Sequence, residues 1–206
     1  MPTNKLPIVI CCLSLLLLCT CTQSVSGVET TNGYATVIAT STTIEGTAPP
    51  LSQVYMCDTG YIPFIDFGIG FITSTDFDGN FRFTRRPGSY HVSIFSPQGT
   101  TAGTVIESST DNTTAFQNSL ERPGSISGSV THTAGDTLLV YLAGMSQYQL
   151  VTNGQSFSFT SIPGGNYRLR IIIVPEINEL PAAVLFEKRV SVDPGEDVAV
   201  GVITVH

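Results

Sequence analysis

The sequence predicts an all-β protein made of two tandem antiparallel β-sandwich modules behind an N-terminal signal segment. Three observations lead to this prediction: an uncharged apolar run near the start, short runs of Val, Ile, Thr, Phe and Tyr separated by Gly, Pro, Asn and Asp, and a longer pattern that occurs twice. Beyond the signal segment, no stretch of about 11 or more residues has the apolar period of a helix. The fold class therefore follows from the spacing of strands and turns.

The first element is a secretion signal. Residues 6–18 are apolar and uncharged and follow a lysine, which is typical of a signal-peptide core and shorter than the roughly 20 apolar residues of a membrane span. Leu18-Cys-Thr-Cys21 resembles a bacterial lipobox, although a threonine stands where a smaller residue is usual before the lipidated cysteine. We expect residues 1–20 to be the signal peptide and Cys21 to be the lipidation site. The alternative is an ordinary signal peptide cut nearby, with Cys21 incidental.

The next segment is predicted to be a tether. Residues 21–33 are small and polar, as expected of a flexible connection between an anchor and a folded part. This arrangement predicts an exported protein of the outer membrane or cell surface that is attached through its lipid, or a secreted protein if no lipid is added. The membrane is thus one expected partner, and another surface protein or a glycan is the other.

The composition excludes two kinds of site. The chain has 16 acidic and 9 basic residues and a net charge of −7, so it is a poor candidate for binding the phosphates of nucleic acids. Four of its five cysteines lie at or before position 21, which leaves Cys57 alone in the folded region. A disulfide framework and a cysteine-built zinc site are both excluded within one mature chain. Cys57 stands in a strand-like run and is expected to be buried.

The repeated pattern divides the rest of the chain into modules at residues 34–122 and 123–206. Each copy contains a turn glycine, Phe-x-Phe, a proline-glycine turn and a tyrosine, at almost the same spacing. Pro123 marks the boundary because proline cannot donate a backbone hydrogen bond to a ladder. Strands are predicted in the first module near 34–41, 43–47, 53–58, 70–75, 80–84, 88–96, 101–106 and 112–120, and in the second near 124–131, 137–143, 148–151, 155–160, 165–174, 184–192 and 197–205.

Alternation along these strands assigns side chains to faces, because neighbours in a strand point to opposite sides. The aromatic positions of the repeat are predicted to face the two cores: Phe81, Phe83, Tyr90, Phe157, Phe159 and Tyr167. Their strand neighbours are predicted to face outward: His91, Ser93, Arg168 and Arg170. Gly79 and Gly154 are expected to take positive φ in the turns, where a side chain would be strained.

The second module carries an ordered set of motifs: Gly124-Ser-Ile-Ser-Gly-Ser-Val130, Val140-Tyr-Leu142, Thr152-Asn-Gly-Gln-Ser-Phe-Ser-Phe159 and Ile162-Pro-Gly-Gly-Asn-Tyr-Arg-Leu-Arg170. In order and spacing they resemble the carboxypeptidase regulatory-like domains. The first module resembles the same family through Thr75-Asp-Phe-Asp-Gly-Asn-Phe81 and Pro87-Gly-Ser-Tyr90, but its insertion from Asp58 to Phe71 departs from the pattern. The resemblance implies a transthyretin-like (prealbumin-like) sandwich and no shared catalytic residues.

No motif indicates catalysis, a metal or another cofactor, and we predict that the protein is not an enzyme. Asp76-Phe-Asp-Gly-Asn80 begins like a calcium loop, but Pro87 stands where an EF-hand requires its last glutamate, so a hairpin turn is favoured. The histidines have no metal-ligand spacing and are predicted to lie at the surface: His91, His132 and His206. A catalytic triad assembled in space stays open, although the chain has no Gly-x-Ser-x-Gly elbow.

The predicted function is that of a non-catalytic surface lipoprotein, acting as a structural, adhesive or accessory binding module. The alternative is a carbohydrate-binding protein whose ligand-binding residues are Tyr61, Phe64 and Phe67, within the aromatic run of residues 61–67. The simpler interpretation of this run is a loop folded over an open end of the sheet. An exposed run would instead form an apolar patch suited to a partner.

Overall fold

The computed structural model describes residues 33–40, 42–65, 70–84, 88–99, 102–108, 114–132, 136–174 and 183–205. Within these ranges there are fifteen strands and no helix, so none that could span a membrane. The signal segment, Cys21 and the tether up to residue 32 lie outside the described residues. Gly33, at the end of the predicted tether, belongs to the folded part, because its carbonyl accepts a hydrogen bond from the Leu120 amide (2.6 Å).

The first half of the fold, residues 33–120, contains two four-stranded antiparallel sheets that share one core. Its strands are β1 (Tyr34–Ala39), β2 (Thr43–Thr47), β3 (Gln53–Asp58), β4 (Gly70–Ser74), β5 (Asn80–Thr84), β6 (Ser89–Phe95), β7 (Ala102–Ser108) and β8 (Thr114–Ser119). One sheet has the order β5-β2-β1-β8 and the other β4-β3-β6-β7. Phe81 and Phe83 of the first sheet meet Tyr90 of the second in the core, while Arg82 points to solvent. The predicted alternation is confirmed here.

The second half, residues 121–205, contains a four-stranded and a three-stranded sheet. Its strands are β9 (Gly124–His132), β10 (Leu138–Leu142), β11 (Tyr148–Val151), β12 (Ser156–Ile162), β13 (Gly165–Ile173), β14 (Val184–Val192) and β15 (Asp197–Val205). The sheets have the orders β11-β10-β13-β14 and β12-β9-β15. Their inner faces enclose a second core, to which Phe157, Phe159 and Tyr167 contribute as predicted.

One pairing departs from the antiparallel pattern. Strands β9 and β15 run parallel, with Ile126 opposite Val198 and His132 opposite Val205, whereas the other described pairs are antiparallel. A hairpin can join only antiparallel neighbours, so a parallel pair needs a longer connection. Here the chain passes through the opposite sheet before it returns beside β9.

The hairpin turns explain the residues that resembled the start of a calcium loop. Gly79 has φ +83° and Gly154 has φ +77°, which confirms the predicted positive φ at both. The Asp76 carboxylate accepts hydrogen bonds from the amides of Asn80 (2.7 Å) and Asp78 (3.0 Å), and this closes the first turn. The Asn80 amide is the main reason that the pKa of Asp76 lies below its usual value. The aspartate oxygens thus serve the turn.

The surface positions predicted for two histidines and one serine are wrong. His91 and Ser93 do face away from the first core, yet both are buried. His132 is buried at the end of β9, where its ring nitrogens lie 3.4 Å from the Val205 carbonyl and 3.3 Å from the Asp136 carboxylate. His206 lies outside the described residues. Alternation predicts which side of a sheet a residue occupies, but not what covers that side.

Candidate functional site

The two halves contact each other through residues 59–65, here named the clasp loop, which follow β3. Two isoleucines of the loop, Ile62 and Ile65, pack against a buried cluster on β10 and β13: Leu139, Tyr141 and Ile172. These cluster residues alternate with Leu138, Val140 and Leu142, which belong to the second core. The clasp loop therefore covers the outer face of a sheet whose inner face is already buried.

The aromatic residues proposed for ligand binding do not share one environment. Tyr61 is half-buried, and Phe67 lies outside the described residues. Phe64 is 45% exposed, and its backbone has φ +73°. Its ring centroid lies 6.0 Å from that of Tyr148 on β11, which is 42% exposed. The structure thus brings Phe64 beside an aromatic residue of the other half.

His91 lies at the centre of the contact between the halves. Its imidazole packs against the Tyr167 ring, with centroids 5.6 Å apart, and against the turn at Gly144. Burial lowers the pKa of His91 to about 4, although hydrogen bonding to the backbone of Ala143 and Gly144 acts in the opposite direction. The residue is therefore neutral at physiological pH.

A cleft of about 480 Å³, here named the polar cleft, lies on one side of His91. Tyr55 and Phe95 form part of its wall, with their rings edge to face and 5.6 Å apart. Nε2 of His91 and Oε1 of Gln147 are buried in the wall without a hydrogen-bond partner among the described residues. Each such atom costs about 1–3 kcal/mol of desolvation.

A second cleft, of about 890 Å³, lies on another side of His91 and is here named the arginine cleft. Its second-half wall carries Arg168 and Arg170 of β13 and Arg189 of β14. Arg168 lies directly opposite Arg189 in the strand register, and Arg170 lies opposite Glu187. Arg170 donates a hydrogen bond from Nε to the Glu187 carboxylate (2.7 Å). Burial would lower the pKa of Arg170, but hydrogen bonds to Glu187 and Tyr141 outweigh it and raise that pKa.

Cys57 is buried at the polar cleft, in agreement with the expectation of a small apolar side chain. Burial raises the pKa of its thiol to about 11, so the thiolate that a nucleophile requires is scarce at neutral pH. Within the described ranges, no group of three or more His, Cys, Asp or Glu side chains is placed to hold a metal ion.

Sequence reasoning missed both clefts, because they arise where one half meets the other. One signal was present in the sequence: β10 is a run of five apolar residues, Leu138–Leu142, and all five are buried. A continuous apolar run is typical of a strand covered on both faces, whereas a strand with one wet face alternates. This run therefore indicated that something covers its outer face.

No protein-family model matches the chain, and no curated protein sequence matches it. Three solved structures align with it at low similarity. They are GBS52, the minor pilin of Streptococcus agalactiae (10% identity, TM-score 0.33, 77% of this chain and 85% of that one), the Bacillus anthracis TIE protein (12%, 0.29, 81% and 38%) and the T-13 major pilin of Streptococcus pyogenes (11%, 0.20, 82% and 99%). Similarity at this level establishes neither a common fold nor a common function, so the fold rests on the strand pairing of this chain.

Replacement of Gly144 by alanine should destabilise the contact between the halves. Gly144 has φ +78°, and a Cβ there would lie 3.0 Å from Cβ and 3.1 Å from Nδ1 of His91. Backbone strain and the clash together should cost about 2–4 kcal/mol in the free energy of urea-induced unfolding. The matched control is Gly154→Ala, which has φ +77° but open space around the new Cβ, and which should cost only about 1 kcal/mol. Equal losses in the two variants would contradict the tight packing at His91.

Acid should weaken the fold through His91. Its pKa is about 4 in the folded protein and about 6.5 in the unfolded chain, so between these values the unfolded state binds more protons. The contribution of His91 is therefore complete above pH 6.5 and is lost as the pH falls to 4, with a total of about 3 kcal/mol. Urea unfolding at pH 7.0 and pH 4.5 measures the loss, and His91→Gln, which cannot titrate, should lose less. An equal loss in both proteins would assign the acid sensitivity to other groups.

Proposed function

We propose that this protein is an exported, lipid-anchored surface protein that acts without catalysis, as a structural, adhesive or accessory binding module. The observation that carries the proposal is the contact between the halves, where the clasp loop buries Leu139, Tyr141 and Ile172. Two sandwiches joined by a free linker would move independently, whereas apolar packing at their contact holds them at a fixed spacing. A fixed spacing is what a surface spacer or a subunit of a larger assembly requires.

The two groups at the contact with conventional reactive chemistry support a non-catalytic role. A general base works best with a pKa near the working pH, and His91 has a pKa of about 4. The Cys57 thiol has a pKa of about 11 and is not an activated nucleophile. Both pKa values are moved away from neutrality by burial, which is the effect of packing rather than of a catalytic arrangement.

Membership of the carboxypeptidase regulatory-like group is part of the proposal. It is supported by the order of the motifs in the second half and by the two-sheet arrangement into which they fold. The same motifs provide turns and core residues in this structure: Gly154 lies in a hairpin turn, and Phe157, Phe159 and Tyr167 are buried. They are thus expected to specify the fold and to leave the choice of ligand to other residues.

The lipid anchor is tested by exchange of Cys21. In cells that express the full chain, the wild-type protein should partition with membranes and be accessible to protease added to intact cells, whereas Cys21→Ser should appear in the supernatant. The matched control is Cys19→Ser, which changes a neighbouring cysteine but leaves Cys21 in place, and which should stay with the membrane. Membrane partition of Cys21→Ser equal to that of the wild type would mean that another anchor holds the protein, and the lipidation proposal would fail.

Carbohydrate binding is the second candidate function, and the neighbouring rings of Phe64 and Tyr148 favour it. Both rings are partly exposed and lie 6.0 Å apart, so they offer an apolar platform on which a sugar face could stack. The platform joins the clasp loop to the second half, so its geometry depends on the docked arrangement.

A glycan array with the mature protein tests this candidate. Binding that falls at least tenfold in Phe64→Ala and Tyr148→Ala, but not in Tyr55→Ala of the polar cleft, would identify the platform as the sugar site. Binding that falls only in Tyr55→Ala would move the site to the polar cleft. The absence of any glycan signal would leave the structural role as the better proposal.

A further inference from the structure

We propose that the arginine cleft binds a phosphate group. The chain as a whole carries a net charge of −7 and only 9 basic residues, yet three arginines meet at this one cleft. Against them stands Glu187, the one carboxylate within ion-pair distance of these arginines in the part of the chain that the structure describes. The cleft is therefore locally cationic on an otherwise acidic protein.

The strand register adds an energetic reason. Arg168 and Arg189 occupy directly opposite positions on the antiparallel strands β13 and β14. Side chains at such positions begin about 5 Å apart, and like charges there destabilise the sheet. Glu187 does not relieve this pair, because its carboxylate is engaged by Arg170. An anion between Arg168 and Arg189 would turn a repulsive pair into an attractive arrangement.

The opposite wall supplies further polar groups. Thr59 and Ser89 of the first half line the cleft, and Asn166 lines it from the second half. Hydroxyl and amide groups can donate hydrogen bonds to an oxyanion, and neutral His91 adds no repulsive or attractive charge. A cleft that is walled by protein also focuses the field of its charged groups more than a flat surface does.

These features favour phosphate over a single carboxylate. Guanidinium groups bind oxyanions through paired N–H donors, and donors that approach from two strands and from the facing wall can each use a different oxygen of a tetrahedral group. A carboxylate offers only two oxygens. The phosphate could be a free anion or a phosphodiester within a polymer, since both present the same oxygens.

The test measures binding and stability with the folded chain at constant ionic strength. Inorganic phosphate at about 100 times its Kd should raise the Tm of the wild type by roughly 5–10 °C relative to chloride. Arg168→Gln and Arg189→Gln should each lower the affinity for phosphate about tenfold. Without phosphate, both variants should melt at or above the wild-type temperature, because the repulsive pair is gone. A purely structural role of either arginine would predict a lower Tm instead.

The matched control is Arg82→Gln. Arg82 is an exposed arginine in the first half, 3.7 Å from Glu45, and its loss should leave the phosphate effect unchanged. Tighter binding of a short polyglycerol phosphate than of inorganic phosphate would support the polymer as the source, and equal binding would support the free anion. The proposal is overturned if phosphate gives the wild type no more stabilisation than chloride, or if Arg82→Gln loses as much affinity as the cleft variants.

Discussion

The burial of both faces of the sheet β11-β10-β13-β14 is the constraint on which the arrangement of this protein depends. The inner face completes the second core, and the outer face would expose Leu139, Tyr141 and Ile172 to water if the second half stood alone. Burial of each such side chain is worth about 1.5–3 kcal/mol. Ile62 and Ile65 provide that burial from the first half. The clasp loop is therefore part of the second half's packing, although it is encoded as an insertion in the first.

The same docking sets the electrostatic character of the contact. Where the halves meet closely, ionisable groups are driven to their neutral forms, as in His91 and Cys57. Farther along the same sheet face the cover ends, and the side chains change from apolar to charged at Arg170 and Arg168. One face of one sheet thus passes from a dry contact to a wet, cationic cleft within a few residues, because strand alternation keeps all these side chains on the same side.

The strands, the turns and the inner faces could be predicted from the sequence because each is encoded locally. Phe157 and Phe159 alternate with serines, and Gly154 marks the turn before them. The environment of the outer faces could not be predicted in the same way. His91 and Ser93 are polar and alternate with apolar residues, so they looked solvent-facing, and only contact with residues far along the chain buries them. The arginines were assigned to the correct face, but their opposition to Arg189 depends on the register of β13 and β14, which alternation alone does not specify.

The parallel pairing of β9 with β15 has a mechanical consequence. The chain enters the second half at the start of β9, next to Asp197 at the start of β15, and leaves it at Val205, beside His132 at the far end of β9. Tension between the entry and the exit would pull the two strands in opposite directions along their length. Their ladder hydrogen bonds, which lie across the strands, would then carry the load together in shear instead of opening one after another. The order in which the strands are connected thus gives this half a direction along which it resists extension.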